Sequence, residues 1–426
     1  IKKKQKSKKL ADVYHYDLYG KRDFKYEFLD ENNLKTIKWE KLDYSEPNYF
    51  FVKKDFADIK EYEKGFKVDE LMNIFVSGIE SVRDRLTIHF NKEELKEVVN
   101  DFKDLSEEEI AIKYSTEDAR DWKISRAKED IINNIDKEKC WQKISYRPFD
   151  IRETFYSGKQ NGFVCNGRYN VMKHNLNPNF ALQLTNKNRQ LSLGYCFIST
   201  FISDRHLLDS AADSMKSIPL YLYPDENSLT NERTPNLNLE IVNEIEEKLG
   251  LKFVNEKIED STTFAPIDIL DYIYAVLHSP SYREKYKEFL KIDFPRVPYP
   301  KPETFWQLVS LGGKLRSLHL LEDTSLDERI IDIKGEGELL IKNSLNKKDF
   351  SIEDEKVELR LNDEVSVVNI PLVAWEFYIG GYQPAQKWLK DRVGRVLNRA
   401  DMKHYNRIIN ALCKTDLIMK KIDEVL

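Results

Sequence analysis

The centre of the chain contains the stretch Tyr146-Arg147-Pro148-Phe149-Asp150-Ile151-Arg152. It belongs to a longer segment, residues 141–224, which combines short apolar–polar alternations with many aromatic residues and with Gly and Asn turn signals. Alternation with a period of two is typical of strands, and Gly and Asn favour turns. The sequence therefore predicts short strands and loops in this segment.

Helical periodicity surrounds the strand-rich segment. Residues 92–138 carry 15 Asp or Glu against 9 Lys or Arg, and their apolar residues recur every three to four positions, which predicts acidic amphipathic helices. Within them, Ser106-Glu107-Glu108-Glu109 has the pattern of a capping box at a helix start. Helical spacing returns in residues 241–249, 267–277, 282–290 and 305–321.

The C-terminal part combines both patterns. Residues 329–378 contain alternating runs separated by Gly or Asn, which predicts a small antiparallel sheet. Residues 385–392 and 401–425 are typical of a helical hairpin that is broken near Gly394. With 426 residues, the chain is long enough for two or three domains. We therefore predict a mixed, multi-domain α+β fold with a strand-rich centre flanked by helices.

Local charge predicts the partner better than total charge does. A formal net charge of −5 argues against nucleic acid, but residues 146–206 hold eight Lys or Arg, three Asp or Glu and eight Asn, a local excess of about +5. Arg, Lys, Asn and Gln hold phosphates and base edges of double-stranded DNA. The candidate DNA-binding residues are Arg147, Arg152, Tyr156, Arg168, Lys173, Lys187, Asn188, Arg189, Gln190 and Arg205.

Two weaker observations qualify this prediction. A second basic stretch, residues 387–407, adds Lys390 and Arg392 as candidates and would form one basic helix side if the helix continued past Gly394; a solvated face is the alternative. Within the first window, the alternative is that Arg147 and Asp150 form a structural pair and that the aromatic residues belong to the core.

The sequence contains no recognisable catalytic motif. The Gly-rich patterns that cradle phosphates are absent, as is the Gly-rich turn that binds a methyl donor, so we assign no catalytic residues and no metal ligands. Asn177-Pro178-Asn179-Phe180 only partly matches the polar-Pro-Pro-aromatic loop that holds a flipped adenine, because the second proline is missing. Asp349, Glu353 and Glu355 near Lys356 leave a Mg²⁺-dependent nuclease fragment as one alternative. A structural interaction protein is another.

Neither a bilayer-spanning apolar run nor a signal peptide is present in the sequence. The basic residues near the start, such as Lys8 and Lys9, are not followed by a long apolar segment. We therefore expect a cytoplasmic protein without membrane contacts.

Six stretches together resemble a known family, and the similarity extends over nearly the whole chain. They are Val13–Gly20, Gly78-Ile79 with Arg83-Asp84, Arg120-Asp121-Trp122, Tyr146–Arg152, Phe294–Pro298, and Gly380-Gly381-Tyr382 leading to Lys387–Arg392. Their order resembles the C-terminal specificity region of type ISP and related single-chain restriction–modification enzymes, together with the end of their adenine methyltransferase domain.

The resemblance implies a domain organisation and a function. Residues 1–60 would be closing strands of a methyltransferase domain, 61–139 an acidic helical connector, 140–300 the target recognition domain and 301–426 a supporting region. The function implied is sequence-specific DNA recognition for a bacterial adenine-N6 DNA methyltransferase. S-adenosylmethionine is expected for the full-length enzyme, whose methyltransferase region, and any nuclease or ATPase modules, would precede Ile1.

Overall fold

The computed structural model describes residues 11–44, 49–55, 57–185, 196–208, 215–225, 232–342 and 344–426. The density of internal contacts divides the chain into two compact units, residues 1–59 and 60–426.

The first unit contains a short antiparallel strand pair and a helix. Strand β1 (Tyr14–His15) pairs with β2 (Glu40–Lys41), and helix α1 (Arg22–Glu31) lies between them in the sequence. The ring of Tyr16 stacks on that of Phe28 at a centroid distance of 5.6 Å. Each strand of this pair is two residues long, and the assignment of residues 1–60 to closing strands of a methyltransferase domain stays a prediction.

The second unit begins with short helices and strands, and the acidic helices follow them. They are α2 (Ile59–Tyr62), β3 (Phe66–Lys67), α3 (Val68–Leu71), β4 (Val76–Ser77), α4 (Asp84–Thr87), β5 (Ile88–His89), α5 (Lys92–Asp104), α6 (Glu107–Lys113) and α7 (Ile124–Asn134). The capping box is confirmed at the start of α6, where the Ser106 hydroxyl accepts from the Glu109 amide and the Glu109 carboxylate accepts from the Ser106 amide. The apolar sides of these helices bury Leu95 and Phe102 against Trp122.

The predicted strand-rich centre is confirmed. Its elements are β6 (Trp141–Arg147), β7 (Asp150–Phe155), α8 (Tyr169–Met172), β8 (Ala181–Thr185), β9 (Cys196–Ser199), β10 (Ile202–Ser203), β11 (Met215–Pro219), β12 (Tyr221–Leu222) and β13 (Thr234–Pro235). One sheet has the strand order β10-β6-β7-β5 and another the order β4-β11-β8-β9. In each sheet, a strand from the preceding segment pairs at one edge, so the centre and the segment before it fold as one body.

The turn between β6 and β7 is held by a buried aromatic ring. Arg147 and Asp150 face each other across the hairpin, and Phe149 at its tip has a φ of 63°, in the left-handed region that bulky residues rarely adopt. The Phe149 ring is 4% exposed and packs edge-on against Phe197 and His319, at centroid distances of 5.3 and 5.9 Å. Burial of the ring therefore offsets the cost of the turn conformation.

Helices predominate in the next segment. Its elements are α9 (Leu239–Leu249), β14 (Lys252–Phe253), β15 (Thr263–Phe264), α10 (Pro266–His278), α11 (Pro280–Lys285), α12 (Lys287–Leu290), β16 (Arg296–Val297) and α13 (Phe305–His319). Helix α10 is buried on almost all sides and packs closely on α13. A Cβ atom at Gly312 would lie 1.8 Å from the carbonyl oxygen of Asp271, so this close approach of two helices requires glycine.

The C-terminal part ends in an antiparallel sheet and helices. Its elements are β17 (Asp332–Lys334), β18 (Phe350–Glu353), β19 (Lys356–Arg360), β20 (Ser366–Pro371), α14 (Leu372–Glu376), α15 (Pro384–Lys390) and α16 (Arg399–Val425). The sheet order β17-β20-β19-β18 is antiparallel throughout, as predicted, and the mixed α+β fold class is confirmed.

The continuous basic helix considered for residues 395–407 does not form. Helix α15 ends at Lys390, and α16 begins at Arg399 behind a capping box formed by Asn398 and Asp401. Arg395 lies between the two helices and donates to Glu94 over 2.7 Å. Gly394, with a φ of 83°, provides the left-handed conformation that separates the two helices.

A buried carboxylate joins the central hairpin to the C-terminal helices. Asp150 on β7 is 1% exposed, and it accepts hydrogen bonds from Arg152 at 2.8 and 3.0 Å and from Arg392 at 2.8 Å. The Arg152 guanidinium also lies 4.0 Å from the ring centre of Tyr146, and that of Arg392 lies 3.7 Å from the ring centre of Trp388. Burial alone would raise the pKa of Asp150, but the two guanidinium charges outweigh it and hold the pKa below its ordinary value.

We expect Asp150→Asn to destabilise the second unit strongly. The amide removes the carboxylate that both buried guanidinium groups share, which leaves Arg392 without its counter-charge and Arg152 only with Asp391 at 3.6 Å. Breaking such a buried pair costs about 3–5 kcal/mol of unfolding free energy. Because the pKa of Asp150 is lowered by folding, this stabilisation is present above the ordinary carboxylate pKa of about 4 and is lost as the pH falls below it. Urea denaturation of both proteins from neutral pH down to about pH 2, well below the ordinary carboxylate pKa, measures the difference in unfolding free energy.

The matched control is Asp121→Asn, because Asp121 also pairs with an arginine, Arg120, but on the surface. The unfolding free energy of this control should change little, because exposed ion pairs contribute little to stability. The difference in unfolding free energy between wild type and Asp150→Asn should shrink at low pH. If it did not, the stabilisation could not be assigned to the ionised carboxylate.

Candidate nucleic-acid interface

Arg147, the first candidate in the central window, has its partners inside the protein. Its side chain is 10% exposed, its Nη1 donates to Asp204 at 2.7 Å, and its guanidinium lies 3.8 Å from the ring centre of Tyr146. The alternative prediction of a structural pair between Arg147 and Asp150 names the wrong partner. Asp150 binds Arg152 and Arg392 instead. The geometry favours a structural role for Arg147.

The same holds for Arg152, Tyr156 and Arg392. The two arginines are each 8% exposed and share Asp150. Tyr156 is 2% exposed and donates its hydroxyl to the carbonyl of Gly167 at 2.6 Å, and burial raises its pKa. Contact of these three with DNA stays a prediction that the isolated fold does not favour.

Other candidates are more accessible. Lys173 is partly exposed and forms an ion pair with Asp225, and Lys390 is exposed and donates to Gln386 at 3.1 Å. Lys187, Asn188, Arg189 and Gln190 lie outside the described residues, in the connection between β8 and β9.

Arg168, Arg205 and Lys216 form what we call the basic cluster. Arg168 is exposed just before α8, Arg205 follows β10, and Lys216 lies on β11 opposite Leu184 of β8. The pKa of Lys216 is lowered, first by partial burial and then by the positive charges of Arg168 and Arg205. Arg168 and Arg205, from two separate segments, therefore each lie close enough to Lys216 to repel it.

Glu80 partly neutralises the charge of the basic cluster. Glu80 accepts from Arg205 at 2.9 Å through one carboxylate oxygen and from the Asn166 amide at 3.0 Å through the other. Among the residues that the structure describes, the cluster brings three cations beside this one acid, and such an excess of positive charge suits phosphate binding. Sequence reasoning missed Lys216 as a cluster member, and Glu80 and Asn166 as its neighbours, because Lys216 reaches the cluster through the pairing of its strand with β4 and β8 and not through sequence proximity.

Gly78 positions Arg205. The Arg205 amide donates to the carbonyl of Ile79 at 2.9 Å, and a Cβ atom at Gly78 would lie 2.5 Å from the carbonyl carbon of Asp204. Only glycine allows the chain after β4 to approach this closely. In the sequence, the Gly78-Ile79 pair of the family resemblance was the signal for this close approach. It did not identify Asp204 and Arg205 as the residues approached.

The acidic residues of the nuclease alternative lie on the C-terminal sheet and its loops. Asp349 accepts from the Asn346 amide at 2.8 Å, and Glu353 is opposite Lys356 in the β18–β19 register. Among the described residues, no three His, Cys, Asp or Glu side chains are grouped so that they could hold a metal ion. In the same part of the chain, no helix is both long and apolar enough to cross a membrane.

A family model described as the type ISP C-terminal specificity domain matches residues 70–421. The chain belongs to this family. Membership confirms the predicted function at the level of DNA target recognition in a restriction–modification enzyme. A search of curated proteins found no match.

Three solved structures share the fold of this specificity domain. A nuclease-deletion mutant of the type ISP enzyme LlaGI, in complex with a DNA substrate mimic, is 18% identical with a TM-score of 0.64 and covers 96% of this chain and 39% of its own. DrdV, in a DNA complex, is 17% identical with a TM-score of 0.68 and coverages of 96% and 43%. The ATP-dependent type ISP enzyme LlaBIII, bound to DNA, is 16% identical with a TM-score of 0.63 and coverages of 91% and 26%. The chain thus spans less than half the length of each.

We expect Arg168→Gly to keep or increase stability. Arg168 has a φ of 55°, and the left-handed conformation costs a non-glycine residue about 1–2 kcal/mol, which exceeds the entropic cost of glycine. The unfolding free energy should therefore stay equal or rise by up to about 1 kcal/mol. Urea denaturation measures it.

Arg126→Gly is the control, because Arg126 is exposed within helix α7, where glycine should cost about 1 kcal/mol. Clear destabilisation by Arg168→Gly would mean that its side chain contributes more to folding than its backbone conformation costs.

Proposed function

We propose that this specificity domain holds double-stranded DNA by its phosphates at the basic cluster while loops of the strand-rich centre read the base sequence. The observation that carries the proposal is the convergence of Arg168, Arg205 and Lys216 in a fold whose solved relatives are described as DNA complexes. Phosphate contacts fix the register of a protein on DNA, and base contacts supply the specificity.

The connection between β8 and β9 supports this placement. Residues 186–195 join Thr185 to Cys196, and Thr185 is paired with Met215, the residue before Lys216. Thr185, the last described residue before the Asn-, Lys- and Arg-containing segment 186–190, therefore lies next to the strand that carries Lys216. Asn and Gln can pair with adenine and Arg with guanine, so Asn188, Arg189 and Gln190 remain the best candidates for base contacts.

We further propose that the domain serves a cytoplasmic adenine-N6 methyltransferase, whose methyltransferase region binds S-adenosylmethionine. That donor would supply the methyl group. The residues of this chain do not fit the donor themselves, because its sequence offers no Gly-rich turn after a strand. No step of methyl transfer is therefore assigned to them, and their part is to bind and orient the DNA.

Removing a cation of the basic cluster should weaken DNA binding and its salt dependence. For Arg168→Ala and for Lys216→Ala, the slope of log affinity against log salt should fall by about one each, with similar losses across DNA sequences. Fluorescence anisotropy of labelled duplexes at several salt concentrations measures both quantities.

Arg120→Ala is the matched control, since Arg120 is 91% exposed and lies outside the basic cluster. Unchanged affinity in both cluster variants would contradict the proposed interface. Reversing the charge of Arg152 is not a clean test, because its buried pair with Asp150 would be lost as well.

A further inference from the structure

An open cleft lies within the second unit, beside the strand-rich centre. It has a volume of about 640 Å³, and its lining includes the aromatic side chains Phe180, Phe201 and Tyr221. Asn177-Pro178-Asn179-Phe180, the sequence that only partly matches an adenine-holding loop, also lines it. This volume admits a small planar molecule or one nucleotide, but not a duplex.

Asn175 is the feature of the cleft that has no structural explanation. Its side chain is 5% exposed and lines the cleft, and neither its amide nitrogen nor its amide oxygen has a hydrogen-bond partner among the described residues. Its neighbour Asn179 differs, since it donates to His174 and Tyr221 and accepts from the Tyr221 amide. Buried amides are rarely left without partners, so Asn175 is suited to a ligand.

The charges of the cleft favour a neutral ligand. Arg233 forms two hydrogen bonds with Glu256, at 2.7 and 2.6 Å, and Lys257 forms two with Asp268, both at 2.8 Å. Both cations of the lining are thus neutralised, and Glu322 adds a carboxylate. A phosphate would therefore meet no uncompensated positive charge here, and a neutral nucleobase needs none.

Two chain segments run from the basic cluster to this cleft. Arg168 precedes α8, and the helical stretch after it reaches Asn175 within seven residues, or roughly 10–14 Å. Lys216 and Leu220 are four residues apart along β11 and its extension, roughly 13 Å. This distance is close to the ~12 Å width of the major groove, so a duplex held at the basic cluster would be wide enough to reach the cleft.

We propose that the cleft binds one nucleobase, which stacks among the aromatic side chains and pairs its edge with the Asn175 amide. An amide offers one donor and one acceptor, the complement of an adenine edge. The base comes either from an unpaired nucleotide of bound DNA or from a free nucleoside. The first source rests on the proposed function, and the second does not.

The test compares duplexes that differ only at one position, which is either paired or carries an unpaired adenine or guanine opposite an abasic site. Wild type should bind the unpaired adenine about tenfold more tightly than the paired duplex. Asn175→Leu should lose this preference and keep its affinity for the paired duplex. Asn175→Asp should shift the preference towards guanine, whose edge offers two donors to a carboxylate.

Asn170→Leu is the matched control, because Asn170 is exposed on α8 and does not line the cleft. Isothermal titration with adenosine, without DNA, forms the second arm. Asn175-dependent adenosine binding without a preference for unpaired DNA would assign the cleft to a free nucleoside.

Two results would overturn the nucleobase cleft. One is an equal preference for unpaired adenine in wild type and Asn175→Leu. The other is a wild-type protein that shows no preference for unpaired adenine and does not bind adenosine. Failure of the proposed function is recognised separately, as unchanged affinity for paired DNA in the variants of the basic cluster.

Discussion

The fold of the second unit depends on one carboxylate, that of Asp150, which two arginines share. Burial of an isolated carboxylate is costly, and so is burial of an isolated guanidinium. Here Asp150 lies between Arg152 of its own strand and Arg392 behind α15, and aromatic rings cover both guanidinium groups. The central hairpin and the C-terminal helices are therefore coupled, since separating them would leave a buried charge without its partner or expose it to water.

This coupling explains why the charge excess of the central window was an incomplete guide to the DNA-binding residues. Arg147, Arg152 and Arg392 contribute to that excess or to the second basic stretch, yet each meets an acid inside the protein. Sequence gives the number of charges in a window but not which of them the fold neutralises. Arg205 stays partly exposed after β10, which is an edge strand, and Arg168 is exposed just before α8.

Much of the fold could be predicted, because its local signals agree with the final structure. The Ser106 capping box, the alternation in residues 329–378 and the aromatic, strand-rich centre each depend on near neighbours in sequence. The basic cluster could be predicted only in part, because Lys216 joins it through pairing between distant strands. Asn175 could not be singled out among eight asparagines of the same window, since its lack of partners is a property of packing.

The bond between Asp150 and Arg392 also constrains the order of events during synthesis. The two residues are 242 positions apart. At ~5–20 residues per second, a ribosome needs roughly 10–50 seconds to make the chain between them. During that time the finished central hairpin holds Asp150 and Arg152 without their third partner, and its apolar surface lacks the helices that later cover it. The nascent chain is consequently exposed to misassociation for longer than a domain whose contacts are local.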